Sequence, residues 1–179
     1  RRAPAMADGT PEDERVHIRG SHQRLGDVVS RRLLSVLAGT DQEPLTEDCG
    51  RLALAGRMLD QGRPLVARVI VNRVWQHHFG VGLVATCDNF GELGEEPTHP
   101  ELLDYLAVQF IEEGWSLKKQ HRMMLLTSTY RMASRSSAAA EEVDPTNKLL
   151  HRMPIVRLEG EAIRDAMLAV SGSLNETMF

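Results

Sequence analysis

The chain has 179 residues, of which 42% are hydrophobic and 26% charged, a composition typical of one globular domain and too apolar for a disordered chain. Its 21 Lys and Arg residues and 25 Asp and Glu residues give a net charge of -4, without the concentrated positive charge that binding to nucleic acid requires. The longest apolar runs, such as LVARVIV, fall far short of the ~20 residues of a membrane span, so neither nucleic acid nor a membrane span is expected.

Residues 1–14, RRAPAMADGTPEDE, are rich in Pro, Gly and charge and have no apolar period, which is typical of an arm or linker. The domain is predicted to cover residues 15–179, beginning with RVHIRG as at most one short strand. Because the chain starts at Arg1 rather than Met and stops at NETMF, we expect it to be a piece of a longer protein.

Helical patterns follow. The run RRLLSVLAG predicts a short helix or turn ending at Gly39. A helix over RLALAGRML is predicted to stop at Gly62 and Pro64, and a second helix is predicted over Val66–Phe79, with Gly80 ending it.

Residues 80–97 carry four glycines and no sustained period, which predicts a long Gly-rich loop. The sequence THPE matches a capping box, in which the side chains of Thr98 and Glu101 each bind the other residue's N–H, and so predicts a helix start. That helix runs to Gly114, and Ser116 is predicted to cap the next one, giving an antiparallel helical hairpin.

Asp144 and Pro145 match the N-cap and first position of a short helix that follows a polar connection. The last helix lies in RLEGEAIRDAMLAVSG, and its apolar residues recur at helical spacing: Leu158, Ala162, Ile163, Ala166, Met167 and Val170. The sequence therefore predicts an all-α fold, a single helical domain of five to six helices with a long Gly-rich loop.

The stretch NRVWQHHFG contains two adjacent histidines. On a helical wheel, His77 falls near the middle of the apolar side and His78 near its edge, while Asn72 and Gln76 face away. His77 is then either a hydrogen-bonded core histidine or part of a metal or acid–base site at the helix end, completed by loop residues.

The loop supplies Asp88 and His99 as the partners of such a site. Its oxygen ligands would suit Ca²⁺, although their order does not match an EF-hand. The alternative is that Asp88 caps a turn and the loop glutamates are solvated.

Glu161 and Asp165 are four residues apart on the last helix, so their carboxylates lie on one face. Such a pair can act as acid and base on a glycosidic bond. The alternative is an ion-pair network with Arg157 and Arg164.

The two cysteines, Cys49 and Cys87, form no C-x-x-C and no C-x-x-C-H motif, which removes the usual zinc, thioredoxin-like and c-type haem signatures. They are able to form one disulfide if the protein is exported and their Cα atoms lie within bridging range. No cofactor is expected within this chain.

Three runs together resemble the planctomycete domain of unknown function catalogued as number 1553. They are VHIRGSHQRLGDVVSRRLLSVLAG, the stretch from LVARVIVNRVWQHHFG through KKQHRMMLLTSTYRMAS, and DPTNKLLHRMPIVRLEGEAIRDAMLAVSGSL. The resemblance implies the C-terminal part of a large exported protein that often also carries a cytochrome-c-like domain. It thus implies the periplasm or cell surface, haem elsewhere in the parent chain, and other domains of that parent as partners, with polysaccharide a further partner that this setting allows.

We therefore expect a non-catalytic structural or interaction module, linked to electron transfer or polysaccharide handling in the parent chain. The alternative is a metal-dependent or acid/base hydrolase with its site at the Gly-rich loop. Convergence of the five candidates in one pocket favours the hydrolase, and dispersal beside an exposed apolar patch favours the module. The candidates are His77, Asp88, His99, Glu161 and Asp165.

Overall fold

Helices form most of the secondary structure in this computed structural model, which describes residues 11–46 and 48–177. Within those ranges there are seven: α1 (Ser35–Ala38), α2 (Arg51–Asp60), α3 (Arg63–Phe79), α4 (Pro100–Glu112), α5 (Leu117–Leu125), α6 (Ala138–Val143) and α7 (Gly160–Val170). The predicted mainly helical fold is confirmed, with more helices than the five to six expected. Residues 1–10 of the predicted arm lie outside the described residues.

A two-stranded antiparallel sheet precedes the helices, so the prediction of at most one strand was wrong. Strand β1 (Glu14–His17) pairs with β2 (Leu25–Val29), with Glu14 opposite Val29. The turn between the strands passes through Arg19 at a φ of 53°. A non-glycine residue in the left-handed region carries no strong sequence signal, so the hairpin was missed.

The buried core is built by α3, α4 and α5. Ala67 and Val71 of α3 and Met124 of α5 are fully buried, and Leu103, Leu106 and Phe110 of α4 pack into the same cluster. Every helix in the described ranges is too short or too polar to cross a membrane.

Helix α3 begins at Arg63, three residues before the predicted start. Pro64 was expected to stop the preceding helix, but it lies in the first turn of α3. The first N–H groups of a helix have no partner within it, so a proline there costs no hydrogen bond.

The capping box predicted at Thr98 is not formed. Helix α4 starts at Pro100, with His99 as its N-cap residue and no side-chain capping bond. Instead, the N–H and the hydroxyl of Thr98 both donate to the carbonyl of Leu83, at 2.8 and 3.3 Å. Thr98 therefore ties the end of the α3–α4 connection to its beginning.

The helical hairpin of α4 and α5 is confirmed, and so is its cap. The Ser116 hydroxyl accepts from the N–H of Lys119 at 3.4 Å. Residues Gly114 and Trp115 turn the chain between the helices with φ values of 72° and 60°.

The helix predicted after Asp144 was wrong. Asp144 instead ends α6, a helix placed in what the sequence indicated was a polar connection. Its carboxylate accepts from the N–H groups of Lys148 and Leu149, at 2.9 and 2.7 Å. Asp-Pro fits the start of a helix and a turn equally well, and these two hydrogen bonds select the turn.

We expect Ser116→Ala to lower the free energy of unfolding by about 1 kcal/mol, because the N–H of Lys119 loses its acceptor. Urea denaturation measures the change. Ser173→Ala is the matched control, since Ser173 is exposed and its hydroxyl caps no helix. Equal midpoints for the two variants would contradict the cap.

Candidate functional site

The two histidines at the end of α3 are buried in the reverse of the predicted order, because His77 was expected to be the more buried of the two. His77 is exposed, whereas His78 is half-buried. Asn72, expected to face away from the core, is completely buried. The apolar residues of α3 alone do not indicate which side of the helix the α3–α4 connection covers.

Asn72 is buried because its side-chain amide binds the backbone of that connection. Its Oδ1 accepts from the N–H of Val84 at 2.9 Å, and its Nδ2 donates to the carbonyl of Val84 at 3.0 Å. The Nδ2 also lies 3.3 Å from the Sγ of Cys87. A buried amide with both ends satisfied stabilises the fold instead of destabilising it.

Gly82 lies where the connection approaches α3 most closely. A Cβ atom on Gly82 would come within 2.5 Å of the Val84 carbonyl oxygen and 2.7 Å of the Asn72 Nδ2. Leu83 and Val84 are buried directly after it. Residues 82–84 are thus fixed on the core by a polar clamp and two apolar side chains.

Both cysteines are half-buried free thiols, so the disulfide considered from the sequence is not formed in this structure. The Sγ of Cys87 lies 3.4 Å from the carbonyl oxygen of Val84, where it donates, and it accepts from Asn72. Cys87 therefore belongs to the clamp.

The metal-ligand candidates have separate partners. Asp88 forms an ion pair with Arg73 at 3.3 Å, and both side chains are largely exposed. The Nδ1 of His99 is 3.0 Å from the hydroxyl of Thr98. In the described part of the chain, no three His, Cys, Asp or Glu side chains are grouped so as to hold a metal, so His77, Asp88 and His99 are not brought together as one ligand set.

The carboxylate pair of the last helix lies on exposed surface. Glu161 and Asp165 are both exposed on α7, and Asp165 accepts from Arg164 at 3.0 Å. This contact agrees with the ion-pair alternative for Asp165. The acid–base and metal hypotheses for these five residues remain predictions.

His78 makes a contact between helices that sequence reasoning missed. Its Nε2 lies 2.7 Å from the Nδ1 of His121 on α5, and the ring of Tyr130 meets the ring of His78 edge-on at 5.7 Å. Burial, followed by the charges of His121 and His77, lowers the pKa of His78 below its ordinary value. The partners are 43 residues apart, and no local pattern links them.

Helix α7 lies where the sequence predicts it, but its apolar stripe is not covered. None of its residues is buried, and Met167 and Val170 are 67% and 90% exposed. We define the α7 face by the apolar side chains that line one side of this region: Leu158, Ile163, Ala166, Met167 and Val170.

A three-helix core with a small N-terminal sheet and an exposed amphipathic helix defines the protein as a mainly helical domain. The chain belongs to the family described as PSD1, a protein of unknown function (DUF1553), whose sequence profile matches residues 50–179. Comparison with curated proteins and with solved structures gives no match.

Gly82→Ala is expected to lower the free energy of unfolding by about 1–3 kcal/mol, because the added methyl group overlaps a backbone carbonyl and the Asn72 amide. Gly56→Ala is the matched control. Gly56 lies inside α2 with open space around it, so its substitution should raise stability by about 0.5–1 kcal/mol. Chemical denaturation of both variants checks the difference. A change in the free energy of unfolding with the same sign in both variants would contradict the close approach at Gly82.

The lowered pKa of His78 makes stability depend on pH. Between the folded-state pKa and about pH 6.5 the unfolded chain binds more protons at this residue than the folded chain does. The contribution of neutral His78 is therefore present above about pH 6.5 and lost as the pH falls through the folded-state pKa. We expect His78→Gln to flatten the fall of the unfolding free energy on acidification. The control His22→Gln changes an exposed histidine that is not among the causes of this shift, and it should leave the fall in place. Identical pH profiles for wild type and His78→Gln would contradict this assignment.

Proposed function

We propose that this domain is a structural and interaction module, and that another domain of the same parent protein covers its α7 face. The observation that carries the proposal is the exposure of that face. An amphipathic helix gains its stability from burying its apolar stripe, and α7 has at most marginal contact with the other described helices and strands.

The length of α7 supports a missing partner. It has 11 residues, and helices shorter than ~12–15 residues are marginal in water when nothing packs on them. A covering surface would stabilise both the helix and its apolar side chains. Each fully buried side chain of this size contributes about 1.5–3 kcal/mol.

The chemistry of α7 fits a domain interface. Its apolar side chains lie together, and charged residues, among them Glu161, Arg164 and Asp165, occupy other positions of the helix. Contiguous apolar surface rimmed by charge is the ordinary signature of a protein contact.

The wider setting is part of the same proposal and rests on the sequence resemblance. The parent protein is exported to the periplasm or the cell surface. Its other domains handle electrons, with haem held elsewhere in the parent chain, or handle polysaccharide.

Hydrogen–deuterium exchange compares α7 in the 179-residue chain with α7 in the whole parent protein. We expect rapid exchange of the α7 amides in the chain alone and protection in the parent, because a docked helix opens less often. Met167→Glu in the parent should remove the protection. Val108→Glu, which makes the same apolar-to-acidic change at a half-exposed position of α4, should leave it intact.

Equal exchange in both proteins would contradict the proposal. Sedimentation of the 179-residue chain adds a second criterion. A dimer that Met167→Glu dissociates would assign the α7 face to a second copy of this chain, and would also overturn the proposal.

A further inference from the structure

A cleft of about 370 Å³ shares no lining residue with the α7 face, and none of the residues discussed as catalytic or metal candidates lines it. Its lining comes from three places: Trp75 and Phe79 of α3, Leu83 and Ala85 of the α3–α4 connection, and residues 146–155 after α6, including Lys148 and Leu150. Small-ligand pockets have volumes of roughly 300–1,000 Å³ and mostly apolar walls. The cleft meets both criteria at the small end of that range.

The first wall of the cleft is apolar, aromatic and closely packed. The rings of Trp75 and Phe79 stack at a centroid distance of 4.0 Å, and both side chains are almost fully buried. The wall continues through Gly82 and Leu83, which the Asn72 amide holds against α3 through Val84. A flat apolar group would lie against this wall without displacing any of it.

The second wall is also held by the side-chain amide of an asparagine. Asn147 is buried, its Nδ2 donates to the carbonyl of Arg152 at 2.9 Å, and its Oδ1 accepts from the N–H of Arg152 at 3.2 Å. Asp144 holds the N–H groups of Lys148 and Leu149 beside it. A segment without helix or strand is thereby preorganised, which reduces the entropy cost of binding.

The charge of the cleft is positive, although the whole chain has a net charge of -4. Lys148 and Arg152 line it, and no Asp or Glu does. The guanidinium group of Arg152 forms an ion pair with the carboxylate of Glu141 at 3.5 Å. The ammonium group of Lys148 has no ion-pair partner within the described residues. An anionic group of a bound molecule would be its partner.

We propose that this cleft binds a small molecule that combines a flat apolar body with a carboxylate. The apolar body lies between the Trp75–Phe79 wall and Leu150, and the carboxylate accepts from the Nζ of Lys148. The proposal stands apart from the docking of α7, because no residue is shared between the two surfaces.

The test is a titration of the ¹⁵N-labelled 179-residue chain with 3-phenylpropionate, followed by amide chemical shifts. We expect saturable shifts at Gly82, Ala85, Lys148 and Leu150, with a dissociation constant of about 1 mM or below. The neutral analogue 3-phenylpropionamide should bind about tenfold more weakly, because it cannot pair with an ammonium group.

Two pairs of variants separate charge from space. Lys148→Met should weaken phenylpropionate binding about tenfold, and Lys118→Met, an exposed lysine outside the cleft, should not. Ala85→Trp fills the exposed rim and should abolish binding, while Ala139→Trp on α6 should leave it unchanged. If Ala85→Trp lowers the denaturation midpoint, Val81→Trp at the same rim replaces it.

Three results would overturn the proposal. The first is a titration in which these residues show no saturable shifts, whether no amide shifts at all or only those of α7 do. The second is equal affinity for the acid and the amide. The third is unchanged affinity in Lys148→Met or in the folded rim variant.

Discussion

The pairing of the Asn72 side chain with the peptide group of Val84 is the constraint on which the rest of the structure depends. It lies in the centre of the molecule and makes the long connection between α3 and α4 part of the core. The carbonyl of Leu83 then accepts from Thr98, so the far end of the connection is held at the same place, two residues before α4 begins at Pro100. The position of α4 on α3 follows from these contacts together with the apolar packing.

Two asparagine side chains pair with the backbone as a neighbouring β-strand would. Asn72 and Asn147 each present one acceptor and one donor to a single backbone residue, in the way that a neighbouring strand would. The segments they bind have no regular structure to satisfy their own backbone groups. The peptide groups of Val84 and Arg152 are therefore paired in two stretches of chain that have no helix or strand.

The sequence allowed the helical frame to be predicted because α3, α4 and α5 each carry a sustained apolar period. Glycines follow α3 and α4, and a capping serine precedes α5. The sequence misled at Pro64, Thr98 and Asp144, where one local motif is compatible with two backbone paths. At Thr98 a long-range hydrogen bond to Leu83 selected the path, and at Asp144 the local bonds from the N–H groups of Lys148 and Leu149 did. The burial of the two histidines was mispredicted for a related reason, because the apolar period of α3 carries no information about what packs on the helix. His78 contacts Tyr130 and His121 of α5, and His121 lies 43 residues further along the chain.

The buried cluster is drawn entirely from one uninterrupted stretch, from Ala67 to Met124. One connection joins α3 to α4, and one short hairpin joins α4 to α5. Few long loops therefore have to close before the apolar contacts form. Proteins with contacts this local in sequence fold quickly, and they do so without waiting for distant segments. During synthesis the core can therefore assemble once this stretch has left the ribosome, while α7 is still to be made, and α7 then joins a domain whose folding it did not direct.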